Sequence, residues 1–326
     1  MARDNRIDSL KGLLIILVIM GHFITSMNNV NIVNHAVMGM IYIFHMPLFI
    51  LISGYFTKPS EQQTPREMWR GVLNLAITLA TFQLLNCLWV AYAGRDFMEA
   101  MKAFPYGVLW YLLSLIYWRI MLYYTPKSLL SKPWLYLGIA LAMSILSGFT
   151  HLGKFLSLQR TLNFYIFFLL GYYYRQGVLD MRWWKNNKLH AATAVVLLPL
   201  IFWLYPRCGN FMNGADRYGL IDLPEKTLIL TCSIAVSLLV FNLVRDWKPL
   251  RPLGKDSLFY YVYHMFIISM IFIPLVRDHG WPNTFPFIVL YTAITLAILV
   301  VMTKIPLFKW LLHPTLKRGA RNKEGQ

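Results

Sequence analysis

Arg6-Ile7-Asp8-Ser9-Leu10-Lys11 runs directly into Gly12-Leu13-Leu14-Ile15-Ile16-Leu17-Val18-Ile19-Met20-Gly21-His22. A charged cluster stands at the edge of an apolar helix, and a histidine stands more than half a span further in. An apolar run of about 20 residues crosses a hydrocarbon core of about 30 Å. Ionisable groups within such a run are costly and mark function. Lys11 and His22 are separated by ten residues, which is roughly 16 Å along one helix. That spacing suits a protein that grips something anionic at one membrane face and does chemistry near the midplane.

The rest of the chain repeats the pattern. Its 326 residues are 57% hydrophobic and only 14% charged, against about 25% charged in soluble domains, and the mean hydropathy is +0.50. Apolar runs recur at about 9–27, 36–56, 70–93, 106–124, 133–150, 161–175, 189–205, 226–244, 257–276 and 285–303. They predict an all-α polytopic membrane protein of about ten transmembrane helices, organised as one integral membrane domain over 1–326. Residues 304–326 form a basic cytoplasmic tail. The first run carries Lys11 and His22 and lacks a small-x-small cleavage site, so it is expected to be a span and not a cleaved signal.

Lysine and arginine orient the chain. With both termini in the cytoplasm, the inner segments hold Arg3, Arg6 and Lys11, then Lys58, Arg66 and Arg70, and later the clusters around 182–188, 245–255 and 317–323, while outer segments are sparse in them. This is the positive-inside bias. A net charge of +17 is thereby attributed to topology and to anionic membrane lipid. Nucleic-acid binding is not expected, because no soluble basic domain exists to carry it. Cys87, Cys208 and Cys232 form no metal or redox motif and no disulfide framework.

The 14 acidic residues all fall in termini, loops or span edges. Ion-coupled transporters bury carboxylates near the midplane, so a lipid or glycolipid transporter or flippase is the second reading and not the first. Histidines occupy the spans instead. By helical rise, His22 lies roughly 18 Å above the inner end of its span and His45 roughly 13–14 Å below the outer end of the next. The two therefore share a layer, whereas His264 lies about 10 Å up, nearer the cytoplasm. A core histidine bonded to a backbone carbonyl is the alternative reading for each. His35, His151, His190, His279 and His313 fall in loops or at span ends and are read as interfacial.

Three local features add detail. Pro47 within Phe44-His45-Met46-Pro47-Leu48-Phe49 removes a helical hydrogen bond and frees the carbonyl of Ile43, and Ser53-Gly54 permits close helix packing. Arg66 and Arg70 share a helix face at i and i+4, as a phosphate clamp or as headgroup anchors. The loop around 206–226 is either a glycan cradle or a plain connection.

Together these pieces resemble the type-3 acyltransferase family of integral membrane proteins, which includes sugar O-acetyltransferases. Arg6, Asp8 and Lys11 followed by His22 are similar to that family's opening element, with Lys11 where arginine is common. Phe44 to Phe49 with Ser53-Gly54-Tyr55, the Arg66/Arg70 pair, Leu109-Trp110-Tyr111-Leu112, Gly171-Tyr172-Tyr173, and Leu253-Gly254-Lys255-Asp256-Ser257-Leu258 with Tyr261-Val262-Tyr263-His264 resemble later landmarks. The resemblance implies a multi-pass enzyme of the bacterial cytoplasmic (inner) membrane. It would move an acetyl group from cytoplasmic acetyl-CoA, a co-substrate and not a bound cofactor, to a hydroxyl of a cell-surface or lipid-linked glycan. Lys11, Arg66, Arg70 and Arg119 would hold the donor phosphates. His22 would act as general base, or less directly through an acyl-imidazole. His45, Ser53 or Tyr111 would stabilise the oxyanion, His264 would support the site, and Asp8 would position Lys11 or Arg6. No metal is implied. Membrane lipids are expected partners, and a homo-oligomer is compatible with the sequence.

Overall fold

A computed structural model of the protein describes residues 4–27, 32–179 and 219–312, with a few helical positions between 192 and 200; no strand occurs among the described residues. Six helical stretches are long and apolar enough to cross a membrane, namely Asn5–Ser26, Ala36–Tyr55, Pro65–Tyr92, Leu220–Leu243, Ser257–His279 and Phe285–Met302. The protein is a helical, polytopic membrane protein. The expected runs at 106–124, 133–150 and 161–175 form the shorter or more polar helices Trp110–Tyr124, Pro133–Leu146 and Leu158–Arg175. The run at 189–205, the greater part of the 206–226 loop and the tail beyond 312 lie outside the described residues.

Helix α1 (Asn5–Ser26) starts where the Asp4 carboxylate accepts the backbone N–H groups of Arg6 and Ile7. Such a cap satisfies donors that the first turn leaves free. Leu14, Ile15, Ile19 and Phe23 are fully buried, so α1 runs through the middle of the bundle.

The second span is divided. Helix α2 (Ile32–Tyr42) ends before Phe44, whose φ of −134° is non-helical, and α3 (His45–Tyr55) then begins. Pro47 has no N–H to offer the Ile43 carbonyl, as its position predicts. The Ser233 hydroxyl donates to that carbonyl at 2.5 Å, across from α8 (Leu223–Leu243). A break at membrane depth is stable only when a neighbour satisfies the freed group, and Ser233 does so.

The other principal helices are α4 (Pro65–Tyr92), α5 (Trp110–Tyr124), α6 (Pro133–Leu146), α7 (Leu158–Arg175), the short α9 (Arg251–Lys255), α10 (Ser257–Ile267), α11 (Ile273–His279) and α12 (Phe285–Met302), with short helical segments at Phe97–Lys102, Lys127–Leu130 and Pro306–Leu312. A π-helical turn, Ile268–Phe272, joins α10 to α11. Pro274 begins to deprive that turn of its next backbone donor, and π-turns of this kind gather at functional sites.

Glycines set two close helix contacts. A Cβ at Gly254 would lie 1.7 Å from the Asp8 carbonyl oxygen, and one at Gly12 would lie 2.2 Å from that of Leu250. Backbone therefore meets backbone where α9 docks on α1. Likewise a Cβ at Gly54 would sit 1.9 Å from the Phe168 carbonyl oxygen, and one at Gly171 1.8 Å from that of Leu51. This joins α3 to α7 and is the packing role that Ser53-Gly54 suggests.

A polar clamp reinforces the first contact. Ser9 donates to the Trp247 carbonyl at 3.0 Å and accepts the Trp247 N–H at 2.9 Å. Arg251 pairs with Asp246 through both carboxylate oxygens, and this guanidinium holds the Asp246 carboxyl below the usual carboxylate range. The resulting stabilisation is present above the unfolded carboxylate pKa and is lost as pH falls through the lower folded value.

Gly254→Ala should lower the melting temperature of the detergent-solubilised protein by the equivalent of about 1–3 kcal/mol of overpacking. Gly138→Ala, where a Cβ meets nothing within 4 Å, should leave it unchanged. Equal melting temperatures for the two variants would contradict the close α1–α9 contact. Thermal scans from pH 7 to pH 3 should show Asp246→Asn flattening part of the acid destabilisation seen in the unmodified protein.

Candidate active site

The bundle holds a connected set of polar groups that begins at one basic end. Lys11 pairs with Asp8 at 3.0 Å, with the carboxylate side chain 5% exposed and the ammonium side chain 18% exposed. The carboxylate thus compensates Lys11 at the membrane edge, in keeping with a positioning role. Lys11 also lies 6.0 Å from the Phe56 ring centroid, a cation–π distance.

From Lys11 a cavity of about 220 Å³ rises between α3, α5 and α10, lined by Ser53, Phe56, Tyr111, Arg119, Leu258 and Tyr261 among others. Arg119 and Tyr111 are eight residues apart on α5, so the wall between them is about 12 Å high. Below it a second cavity of about 250 Å³ opens beside Lys58, Gln63 and Glu67, and the two share Phe56 and Arg119 as walls. Arg119 therefore stands at the threshold between them.

Arg66 and Arg70 take a different position. Both are exposed on α4, whereas the cavity-facing residues of that helix are Glu67, Met68 and Gly71. They flank the mouth from an adjacent face and do not line it.

At the upper end of the cavity the Tyr111 hydroxyl and Ser53 Oγ are 2.6 Å apart, which joins two of the sequence-predicted residues directly. Tyr111 meets Tyr261 edge-on at 5.3 Å. The Tyr261 hydroxyl donates to the Val108 carbonyl at 2.6 Å, and its ring lies 6.1 Å from that of His264. The His264 ring in turn is 5.1 Å from that of His22.

That last contact revises the expected separation. Counting residues from the span ends put His264 about 8 Å below His22, but the two rings touch. Gly254 packs against Asp8, which sets the true relation between the helices. From that level His22 is fourteen residues on and His264 ten, a difference of about 6 Å that side-chain length can bridge.

His45 occupies the same neighbourhood from α3. Its ring packs edge-on against Tyr42 at 4.9 Å, and Tyr42 lies 3.3 Å from the place where a Cβ on Gly21 would be. His45 Nδ1 is 2.8 Å from the Ile41 carbonyl, and His264 Nδ1 is 3.2 Å from the Tyr260 carbonyl. Each therefore makes the backbone bond of a satisfied core histidine. His22 differs: its ring nitrogens bond to no described residue, and its side chain is partly accessible, whereas His45 and His264 are buried.

Beyond this layer a third cavity of about 510 Å³ opens, lined by Trp89, Arg95, Tyr106, Val108, Met265 and Arg277 among others. Val262, Met265 and Ser269 line it on the same helical run whose preceding turn, with Leu258 and Tyr261, lines the inner cavity. Tyr261 thus lines the 220 Å³ cavity, bonds to Val108 of the 510 Å³ cavity and packs beside His264. The sequence reading passed over Tyr261 as a functional residue, although it lies three positions before His264 and so on the same side of the helix. Arg160, another residue passed over, holds its guanidinium 5.2 Å from the Trp110 ring. Nothing but its charge could have singled it out in a segment read as an outer loop.

A family model described as an acyltransferase domain matches residues 4–304. Nodulation protein NolL of Sinorhizobium fredii is 36% identical over 94 residues, a match that covers 28% of this chain and 25% of NolL. No solved structure matches significantly. With the family model covering nearly its whole length, the chain belongs to the type-3 acyltransferase family.

Proposed function

We propose that this protein is an O-acetyltransferase of the bacterial inner membrane, which takes acetyl from cytoplasmic acetyl-CoA and delivers it to a hydroxyl of a cell-surface or lipid-linked glycan. The observation that carries this reading is the route formed by two adjoining cavities, from the basic mouth past Arg119 and Lys11 to Tyr111 and Tyr261, beside which the rings of His264 and then His22 pack. A nucleotide carrying phosphates at one end and a thioester on a long thin arm at the other fits such a route. The arm needs an apolar shaft with cations at its base, and Phe49, Ile52 and Leu115 wall the shaft above Lys11 and Arg119.

The acceptor would approach from the 510 Å³ outer cavity, whose size falls in the usual range for small-molecule sites. Trp89 and Tyr106 offer aromatic faces there, and Arg95 and Asn86 offer hydrogen-bond donors. In this reading the donor and acceptor meet across the layer that Tyr261 divides.

The chemistry follows from the residue types. Neutral His22 takes the proton of the acceptor hydroxyl, and the oxygen attacks the thioester carbonyl carbon. Negative charge gathers on the carbonyl oxygen, where the Tyr111 hydroxyl can donate once it turns from Ser53 Oγ, whose own proton goes to the Phe49 carbonyl. The carbon–sulfur bond then breaks, and the thiolate leaves with the proton that His22 accepted. Lys11 and Arg119 contribute charge for the donor's phosphates, and Asp8 keeps the Lys11 ammonium in place. Arg66 and Arg70 act on the approaching donor from outside the cavity wall.

In membranes supplied with labelled acetyl-CoA and cell-envelope glycan, His22→Ala should lower acetyl transfer by roughly 10²–10⁴-fold while the KM for acetyl-CoA stays near its original value. Transfer at the unmodified rate would refute His22 as the base. Arg119→Ala and Lys11→Ala should chiefly raise the KM for acetyl-CoA, by about 10-fold or more for loss of one charge-assisted contact. Arg66→Ala and Arg70→Ala should raise it less, because their side chains do not line the cavity; a larger effect from Arg66 or Arg70 than from Arg119 would place the phosphates elsewhere.

A further inference from the structure

We infer that His264 positions His22 by accepting one of its ring N–H groups at Nε2, so that the other His22 nitrogen is presented bare to the acceptor hydroxyl. The inference rests on the acyl-transfer reading above for its consequence, but the pairing itself rests on geometry.

The tautomer of His264 is set by its surroundings. A backbone carbonyl can only accept, so the nitrogen facing the Tyr260 carbonyl at 3.2 Å must carry the proton. In a neutral imidazole the other nitrogen is then an acceptor without a hydrogen. That nitrogen, His264 Nε2, is fully buried and has no hydrogen-bond partner. Buried acceptors of this kind are uncommon and call for an explanation.

The nearest side chain able to supply one is His22, whose ring lies at contact distance, 5.1 Å between centroids and inclined by 41°. Its nitrogens are bonded to no other described residue, so one N–H is available to meet His264 Nε2 across this ring contact. His45 cannot substitute, because its Nδ1 is committed to the Ile41 carbonyl and its ring packs on Tyr42. Tyr261 cannot either, because its hydroxyl donates to the Val108 carbonyl.

The pairing would do for His22 what a hydrogen-bond acceptor behind the ring does for any catalytic imidazole. It selects which nitrogen holds the proton and fixes the plane of the ring. When the acceptor hydroxyl gives up its proton, His22 becomes an imidazolium that still donates to His264. The proton then leaves with the thiolate, and His264 neither gains nor loses one.

Two substitutions separate this role from simple packing. His264→Asn keeps a donor near the Tyr260 carbonyl and removes the acceptor at Nε2, whereas His264→Gln reaches to the Nε2 position with an amide oxygen. In the full-length protein in nanodiscs, labelled with ¹⁵N-histidine and assigned through His22→Ala, the His22 N–H resonance should lie in the hydrogen-bonded range. It should move out of that range in His264→Asn and stay in it in His264→Gln. With labelled acetyl-CoA, His264→Asn should lower kcat by about 10- to 100-fold, part of the gain a general base supplies, with the donor KM unchanged and with His264→Gln recovering most of the loss.

An unmoved His22 resonance in His264→Asn would overturn the pairing whatever the activity. Equal kcat losses in the two variants, or a loss confined to KM, would overturn the positioning role. A shifted resonance in a protein that transfers no acetyl group would support the pairing and refute the acetyl-transfer reading instead.

Discussion

The backbone-to-backbone contact between α1 and the 248–255 segment is the constraint on which the site depends. Gly12 and Gly254 remove the side chains that would hold the two apart, and Ser9 replaces them with paired bonds to Trp247. Within a bilayer there is no hydrophobic force to press one helix against another, so close packing and interhelical polar bonds must do it. Once Asp8 and Gly254 are level, α10 leaves α9 at a determined height. His264 is then delivered to the ring of His22. A slip of one helical turn, about 5.4 Å, would part those rings and move Tyr261 off the top of the inner cavity.

The same constraint explains how so many polar groups coexist in an apolar interior. Those on the bundle axis are satisfied in place: Ser233 serves the Ile43 carbonyl, His45 and His264 serve carbonyls one turn back, Tyr261 serves Val108, and Trp118 Nε1 serves the Thr161 carbonyl at 2.9 Å. Lys226 is buried yet donates to Asn163 Oδ1 at 2.7 Å. An unmade bond here would cost about 1–3 kcal/mol, so each satisfied group rigidifies the helix that bears it. His22 stands apart, partly accessible and unbonded to any described residue, beside the buried and unpartnered Nε2 of His264. A rigid scaffold around an uncommitted imidazole is the arrangement that proton transfer needs.

Much of this was legible from residue order alone. The run from Arg6 to His22 announced a span with function at both ends, and Pro47 announced the free carbonyl that Ser233 meets. Ser53-Gly54 was read as packing, which Gly54 does, while Ser53 turns to Tyr111. These features are local, and helical geometry converts them directly into space. What escaped was whatever depends on two distant segments meeting. The docking of 248–255 on α1 rests on a glycine that any loop could carry. Arg66 and Arg70 share a face, as their spacing requires, but which face meets the cavity is decided by α5. Depths counted from hydropathy edges set His264 about 8 Å from His22, near the roughly 6 Å that packing gives, and could not show that the side chains bridge that offset.

Among the described residues the carboxylates of the spanning helices stand near helix ends, with buried Asp8 in the first turn of α1, and this bears on the chemistry as well as on transport. A carboxylate beside His22 would strengthen the imidazole's hold on a proton by direct attraction, and a charged imidazole cannot accept a further one. Asp8, the acid nearest in sequence, is instead bound to Lys11 at the membrane edge, about 21 Å along α1 from His22. The groups that do surround His22 are neutral rings and hydroxyls, which can orient it without charging it. Cations gather at the mouth, where an anionic donor benefits from them. Separating the charge that binds from the neutral nitrogen that reacts requires about half a membrane's thickness between them, and the interval from Lys11 to His22 supplies it.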